Sequence, residues 1–307
     1  MTNDPAGAPL SRRAVLRLMA AAATGAGAGT SDAALITRPI PSSGETIPAV
    51  GLGTWQTFDV GASAAERAPR REVLKQFVTL GGTVIDSSPM YGAAEAVVGE
   101  LAAEIGVSGK LFVATKVWTS GRAAGVTQME QSIRLLRKQP LDLMQIHNLV
   151  DWRTHLATLR EWKKAGRVRY IGVTHYTASA YDELERVLRG ETLDFIQLNY
   201  SLGEREAERK ILPLAKDRGV AVLVNRPFAE GGLFRRVRGQ ALPAWAADIG
   251  CESWAQLFLK WILAHPAVTC AIPATSNPAH LADNMKAGVG ALPDAAMREK
   301  MAALIGR

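Results

Sequence analysis

Four side chains with complementary proton chemistry stand at the ends of short apolar runs. Asp86 follows "TVI", with Tyr91 five residues on in "IDSSPMYG"; Lys116 closes "LFVATK"; His147 closes "LDLMQIH". A lysine ammonium beside a phenol favours the phenolate and draws the tyrosine pKa down, while a carboxylate beside the lysine keeps that ammonium charged and in place. With a neutral His147 hydrogen-bonded to the same substrate oxygen, the set suits protonation of an alkoxide developing from a carbonyl. Singly, each residue has an ordinary structural reading: Asp86 capping a turn, Tyr91 as a surface aromatic, Lys116 in a structural pair, His147 as a satisfied core histidine. Their occurrence together at successive strand ends points to a site.

Such groups need a scaffold that brings strand ends to one place. From residue 47 onward, β-branched runs alternate with segments of helical period, the pattern of parallel strands joined by helical crossovers. The strands are expected at 47–55, 83–88, 111–117, 141–148, 168–175, 194–200, 220–227 and 268–274. Between them lie amphipathic stretches such as "MEQSIRLLRK" and "HLATLREWKKAG", several ended by a glycine that suits a helix C-cap. The fold class is therefore α/β, a (β/α)8 TIM barrel over residues 35–307, with reactive groups at the carboxyl ends of the strands. A doubly wound open sheet is the alternative. It usually carries a glycine-rich phosphate turn after its first strand, whereas here the first strand runs into "GTWQTF".

Composition narrows the function classes. The net charge of +7 comes from basic residues interleaved with acidic ones, so nucleic-acid binding is not implied. Cys251 and Cys270 cannot build a disulfide framework and read as small core residues. The five histidines show no H-x-H or H-E-x-x-H spacing, so no metal site is expected and a metal-dependent barrel hydrolase is the weakest alternative. Residues 1–34 read as an address. "SRRAVLR" at Ser11–Arg17 precedes an uncharged, Ala- and Gly-rich run to Ser31, and it looks like a twin-arginine export motif with Val15 where an aromatic is commoner and Arg17 where Lys is usual. The run is too short and too rich in glycine for a spanning helix. Removal of this segment around Thr30 to Ala34, export through the twin-arginine machinery to the periplasm, and a monomeric mature protein are the expectations.

The quoted motifs, from about residue 36 to residue 284, resemble the aldo-keto reductase family, (β/α)8 barrels that interconvert carbonyls and alcohols with a nicotinamide cofactor. The resemblance implies that Asp86, Tyr91, Lys116 and His147 are the catalytic tetrad, with Tyr91 as general acid in reduction. It implies NADP(H) as cofactor, with NAD(H) also accepted, and a small carbonyl or alcohol as substrate. "GVTHY" then places Thr174 and His175 at the nicotinamide carboxamide, where Ser and Asn are usual. "FIQLNYS" gives Gln197 for the same amide and Tyr200 to stack on the ring. "NRPFAEGGLFRR" is similar to the loop over the pyrophosphate, with Phe228, Gly231 and Leu233 in it, and with Arg235 or Arg236 either neutralising charge or simply solvated. "IPATSNPAHLADN" is similar to the adenosine-phosphate segment and offers Thr275, Ser276, His280 and Asn284. Ala274 and His280 stand where many members place Lys and Arg around the 2′-phosphate, which implies weaker discrimination between NADPH and NADH. Trp55, Met90 and Trp118 are the substrate-facing candidates, or else rim packing. A slow-turnover nucleotide sensor on the same barrel is the alternative function.

Overall fold

Alternation along each strand decides what lies inside this molecule. The computed structural model describes Met1 and residues 34–306, and the twin-arginine-like segment lies outside the described residues. Eight parallel strands form one sheet: β3 (Leu52–Gly53), β4 (Val84–Asp86), β5 (Phe112–Val117), β6 (Leu141–Ile146), β7 (Val168–Thr174), β8 (Phe195–Asn199), β9 (Ala221–Asn225) and β10 (Cys270–Ala271), numbered after an N-terminal hairpin of β1 (Thr37–Pro39) and β2 (Thr46–Pro48). Each strand pairs in parallel with the next. Parallel bridges Val50–Ala271 and Gly53–Ala274 bring the first and last together, so the sheet curls into a nearly closed barrel. At that seam, a Cβ added to Gly51 or Gly53 would come within 2.8 Å of the carbonyl oxygen of Val84 or Ile272, respectively. Only glycine lets the backbones approach this closely.

Helices flank the strands: α1 (Ala64–Thr79), α2 (Ala94–Glu104), α3 (Arg122–Leu136), α4 (Trp152–Lys164), α5 (Tyr181–Gly190), α6 (Ile211–Asp217), the short α7 (Gly232–Arg236), α8 (Trp254–Leu263), α9 (Pro278–Lys286) and α10 (Ala295–Ile305). The larger apolar cluster fills the layer between strands and helices. A smaller one, of Ile40, Ile47, Val84, Phe112, Ala114, Leu143, Tyr170, Phe195, Ala221, Leu223, Cys270 and Ile272, fills the barrel interior. Side chains two residues apart share a face of a strand. Continuing the inward series toward the carboxyl ends therefore gives Asp86, Lys116, Gln145, Thr174, Gln197, Asn199 and Asn225, all polar. The interior is apolar below and polar above because the six strands β4 to β9 change residue type on one face.

All eight expected strands are present, each shorter than expected, the last reduced from 268–274 to Cys270–Ala271. The stretch 47–55 is split between β2 in the hairpin and β3 in the barrel. Pro48, which has no N–H for a ladder, marks the break. His147 and Asn148 leave β6 in a short 3-10 turn, His147–Leu149.

Candidate active site

Asp86 anchors the centre of the mouth. Its Oδ2 accepts from Lys116 Nζ at 2.6 Å, and its Oδ1 accepts from Gln145 Nε2 at 3.1 Å and Gln197 Nε2 at 2.9 Å. The Lys116 ammonium also donates to the Ser87 carbonyl at 2.7 Å and is fully buried. Burial alone would push its pKa down, but Asp86 and then Tyr91 outweigh it, and the ammonium is held above its ordinary value. Lys116 Nζ lies 5.0 Å from the centroid of the Tyr91 ring.

Tyr91 sits on the turn after β4, where its N–H donates to the Ser88 carbonyl. The next residue, Gly92, has φ +58, and a Cβ there would collide with the Asp59 carboxylate, which accepts from Ala93 N at 2.9 Å. One expectation is corrected here. Burial is the largest influence on the phenol and carries its pKa above the ordinary value; Lys116 works against this and Asp86 with it. His147 meets Tyr91 edge to face, with centroids 5.9 Å apart, and its Nδ1 is 3.0 Å from Ser88 Oγ. Burial first, and then the nearby Lys116 and His175, depress the imidazole pKa to about 2. The ring is neutral throughout the physiological range.

A cleft of about 640 Å³ opens over these groups, within the size range of small-molecule sites. Asp86, Tyr91 and His147 line it, Lys116 lies beneath, and Trp55, Met90 and Trp118 form its exposed apolar rim together with Tyr176. Thr174, Gln197, Phe228 and Gly231 line the same cleft. Gln197 is already engaged: besides donating to Asp86, its Oε1 is 3.4 Å from both Thr174 Oγ1 and Asn225 Nδ2.

Other expected positions fall elsewhere. Tyr200 does not line the cleft; it is fully buried, packs on Trp261 with centroids 5.0 Å apart, donates to Glu208 and accepts from Arg298 Nη2 at 2.6 Å. It follows Asn199 in sequence and so faces the helix layer, where it cannot cover a ring in the barrel mouth. His175 is likewise outside the lining, with its ring stacked on Tyr176 at 5.5 Å and its Nδ1 accepting from Thr177 N. Leu233 is core. Arg235 and Arg236 are exposed, each with one long hydrogen bond to a backbone carbonyl, of Glu230 and Ile305 respectively. Thr275, Ser276, His280 and Asn284 lie on α9 and the turn before it, outside the lining. Thr275 Oγ1 accepts from Asn277 N at 3.0 Å, Asn277 caps the Ala279 N–H, His280 is exposed and Asn284 is buried. Cys251 and Cys270 are both buried free thiols. Among the described residues, no three His, Cys, Asp or Glu gather as metal ligands.

Sequence reading missed Gln145, Asn148, Tyr176, Asn225 and Arg226. The inward face of the strands marks Gln145 and Asn225, and Tyr176 continues the parity of Thr174. Arg226 and Asn148 have φ of +50 and +53, unusual for residues other than glycine, and nothing in the sequence announces that. Asn148 Oδ1, Asn225 Oδ1 and Arg226 Nε are buried without a protein hydrogen bond. A cleft lined by the polar residues Thr174, Gln197, Asn225 and Arg226 beside the aromatic residues Trp55, Tyr176 and Phe228 fits a polar, flat-ringed ligand.

The aldo/keto reductase family model matches residues 49–304. Methylglyoxal reductase YeaE of Escherichia coli is 32% identical over 246 residues, which cover 78% of this chain and 84% of the relative. A crystal structure of an aldo/keto reductase from Klebsiella pneumoniae in complex with NADP and acetate is similar at a TM-score of 0.73 and 27% identity, covering 85% of this chain and 93% of that one. A second Klebsiella pneumoniae aldo-keto reductase, in complex with NADPH, is similar at 0.74 and 25%, covering 88% and 96%. With barrel, tetrad geometry and family model in agreement, this chain belongs to the aldo/keto reductase family.

Proposed function

We propose that this protein reduces an aldehyde or ketone to an alcohol, reversibly, with NADP(H). The observation that carries the reading is the fully buried Lys116, bonded to Asp86 and lying against the Tyr91 ring, with neutral His147 on the same cleft. The solved relatives with NADP and NADPH support the choice of cofactor. Thr174, Gln197, Asn225, Arg226, Phe228 and Gly231 would hold that cofactor, whose contribution is a hydride.

The protein's own part is the proton. Because burial keeps the Tyr91 phenol protonated at neutral pH, it can donate to the substrate oxygen as negative charge develops there. The phenolate left behind is stabilised by Lys116, which Asp86 keeps charged, while Gln145 and Gln197 hold the Asp86 carboxylate in place. Ser88 Oγ, which accepts from Met90 N at 3.3 Å, is 3.0 Å from His147 Nδ1, and this reading assigns the Ser88 hydroxyl as the donor there. That puts the imidazole proton on Nε2, a neutral donor for the same substrate oxygen.

The test is a panel of aldehydes and ketones assayed with NADPH and with NADH by nicotinamide absorbance, with Tyr91→Phe alongside. Reduction by the wild type, a loss of about a hundredfold or more in the variant and near-normal cofactor binding are expected. Near-wild-type turnover by Tyr91→Phe would sink the assignment.

The export reading, too, is a proposal: residues 1–34 direct the protein through the twin-arginine route to the periplasm. Its support is the sequence "SRRAVLR" and the uncharged run after it. That route carries proteins already folded, and an enzyme needing a nicotinamide has reason to fold around it before leaving the cytosol. Two free buried cysteines suit maturation among reduced thiols.

A further inference from the structure

Glu95 is a buried carboxyl group that takes no part in the proton transfer. It lies in the first turn of α2, is 2% exposed, and is held by two buried hydroxyls. Thr115 Oγ1 donates to its Oε1 at 2.5 Å and Ser132 Oγ to its Oε2 at 3.1 Å. Burial, the largest influence, pushes the Glu95 pKa up, while the two hydroxyls and then Lys116 pull it back. An apolar side chain would fill such a place with less desolvation. A buried polar group whose bonds are all made does something else: it fixes one arrangement of the elements it joins.

The elements joined here are those that carry the acid and its cation. Thr115 directly precedes Lys116 on β5, so its side chain points to the helix layer while that of Lys116 points into the barrel. Ala94, the first residue of α2, donates its N–H to the Tyr91 carbonyl at 3.1 Å. The bond from Thr115 to Glu95 is the one side-chain hydrogen bond between α2 and β5 among the described residues. The bond from Ser132 differs in kind, because α3 already meets α2 closely at Gly99, where a Cβ would lie 2.0 Å from the Leu135 carbonyl oxygen. Building on the carbonyl-reduction reading, we infer that Glu95 is a positioning residue: by clamping the first turn of α2 to β5, it sets the distance between Tyr91 and Lys116. That distance matters. If the phenol retreats by about 1 Å from the 5.0 Å between Lys116 Nζ and the ring centroid, the attraction for a phenolate falls by about one-sixth. At an effective dielectric of about 20, this raises the pH at which Tyr91 ionises by about 0.4 unit.

Thr115→Val and Ser132→Ala each remove one donor from the same carboxylate and differ in the element they release. Asp86, Lys116 and His147, the titratable groups facing Tyr91, are unchanged in both. The assay is alcohol oxidation with NADP+ across pH. In Thr115→Val the rise with pH should move up by about 0.4 unit and kcat should fall about tenfold or more, with NADP+ affinity unchanged. Ser132→Ala should match wild type, as should Thr115→Ser, which keeps the hydroxyl. Glu95→Gln should match it too, since the amide oxygen still accepts from Thr115; a downward shift there would mean that the carboxylate acts on the phenol through its charge, and would overturn the inference. An unmoved profile in Thr115→Val, or equal shifts in Thr115→Val and Ser132→Ala, overturns it as well. Crystal structures of wild type and Thr115→Val need no turnover. The separation of Lys116 Nζ from the Tyr91 ring should lengthen by about half an ångström or more, and an unchanged separation refutes the clamp. If wild type neither reduces carbonyls nor oxidises alcohols, the carbonyl-reduction reading fails, and this separation alone decides the role of Glu95.

Discussion

Replacing Lys116 by methionine keeps most of the side-chain volume and deletes only the charge and its hydrogen bonds. With Nζ 5.0 Å from the Tyr91 ring centroid and an effective dielectric of about 20, the attraction between ammonium and phenolate is about 3 kcal/mol. Fully expressed in the transition state, that is roughly a hundredfold in rate. Alcohol oxidation, which uses the phenolate as base, should climb with pH as Tyr91 ionises, and in Lys116→Met the climb should move to higher pH. Folding stability is a second readout. Asp86 loses its 2.6 Å partner but keeps two amide donors, so the penalty should fall near the lower end of the roughly 3–5 kcal/mol for breaking a buried pair. Because the folded pKa of Lys116 is raised above the usual 10.5, its contribution is fully present below the unfolded pKa and is lost as pH rises through the folded one. The difference between the two proteins in urea should thus be constant around neutrality and shrink only in strong alkali. An unshifted oxidation profile at normal kcat in the variant would refute the view that Lys116 acts on the phenol.

Tyr200→Phe should leave NADPH affinity unchanged and lower stability by about 1–2 kcal/mol, since Arg298 and Glu208 stay paired with each other at 2.7 Å; a tenfold weaker Kd would return Tyr200 to the ligand. Ala274→Lys together with His280→Arg should raise the NADPH-to-NADH ratio of kcat/KM, because Ala274 carries no charge and His280 lacks the forked guanidinium donors that suit a phosphate; an unchanged ratio would place recognition of the 2′-phosphate elsewhere. Arg12→Lys with Arg13→Lys should keep active enzyme in the cytoplasm, and the exported wild type should carry bound nucleotide. Fractionation that still finds the variant exported removes the proposed route, and nucleotide-free exported protein removes the loading step.

Much of the site is legible because a strand announces its inner face by alternation. Phe112 and Ala114 predict that Lys116 faces inward, and Leu143 does the same for Gln145 and His147. The same rule, applied strictly, separates Gln197 from Tyr200 and Thr174 from His175. For Tyr200 the resemblance to a family motif suggested a ligand contact that its burial against Trp261 and Arg298 denies. The direction of the Tyr91 shift was not legible, since burial, its largest cause, depends on what the fold stacks above the phenol. Asn148 and Arg226 escape sequence reading for another reason: each sits in the left-handed region without being glycine, a choice imposed by the loops they join.

The seam where β3 meets β10 joins parts of the chain about 220 residues apart, at Val50 and Ala271. Gly53, Ile272 and Ala274 at that seam also wall the cleft. At roughly 5–20 residues per second, a ribosome takes on the order of 10 to 45 s to supply the second half of this wall after the first. For most of that interval Asp86 on β4 and Tyr91 on the turn after it exist without a closed pocket, and a nucleotide has nothing complete to bind. Ligand capture must therefore follow translation of the carboxyl-terminal strand, which makes a bound nucleotide a molecular report that synthesis has run to the end of the barrel.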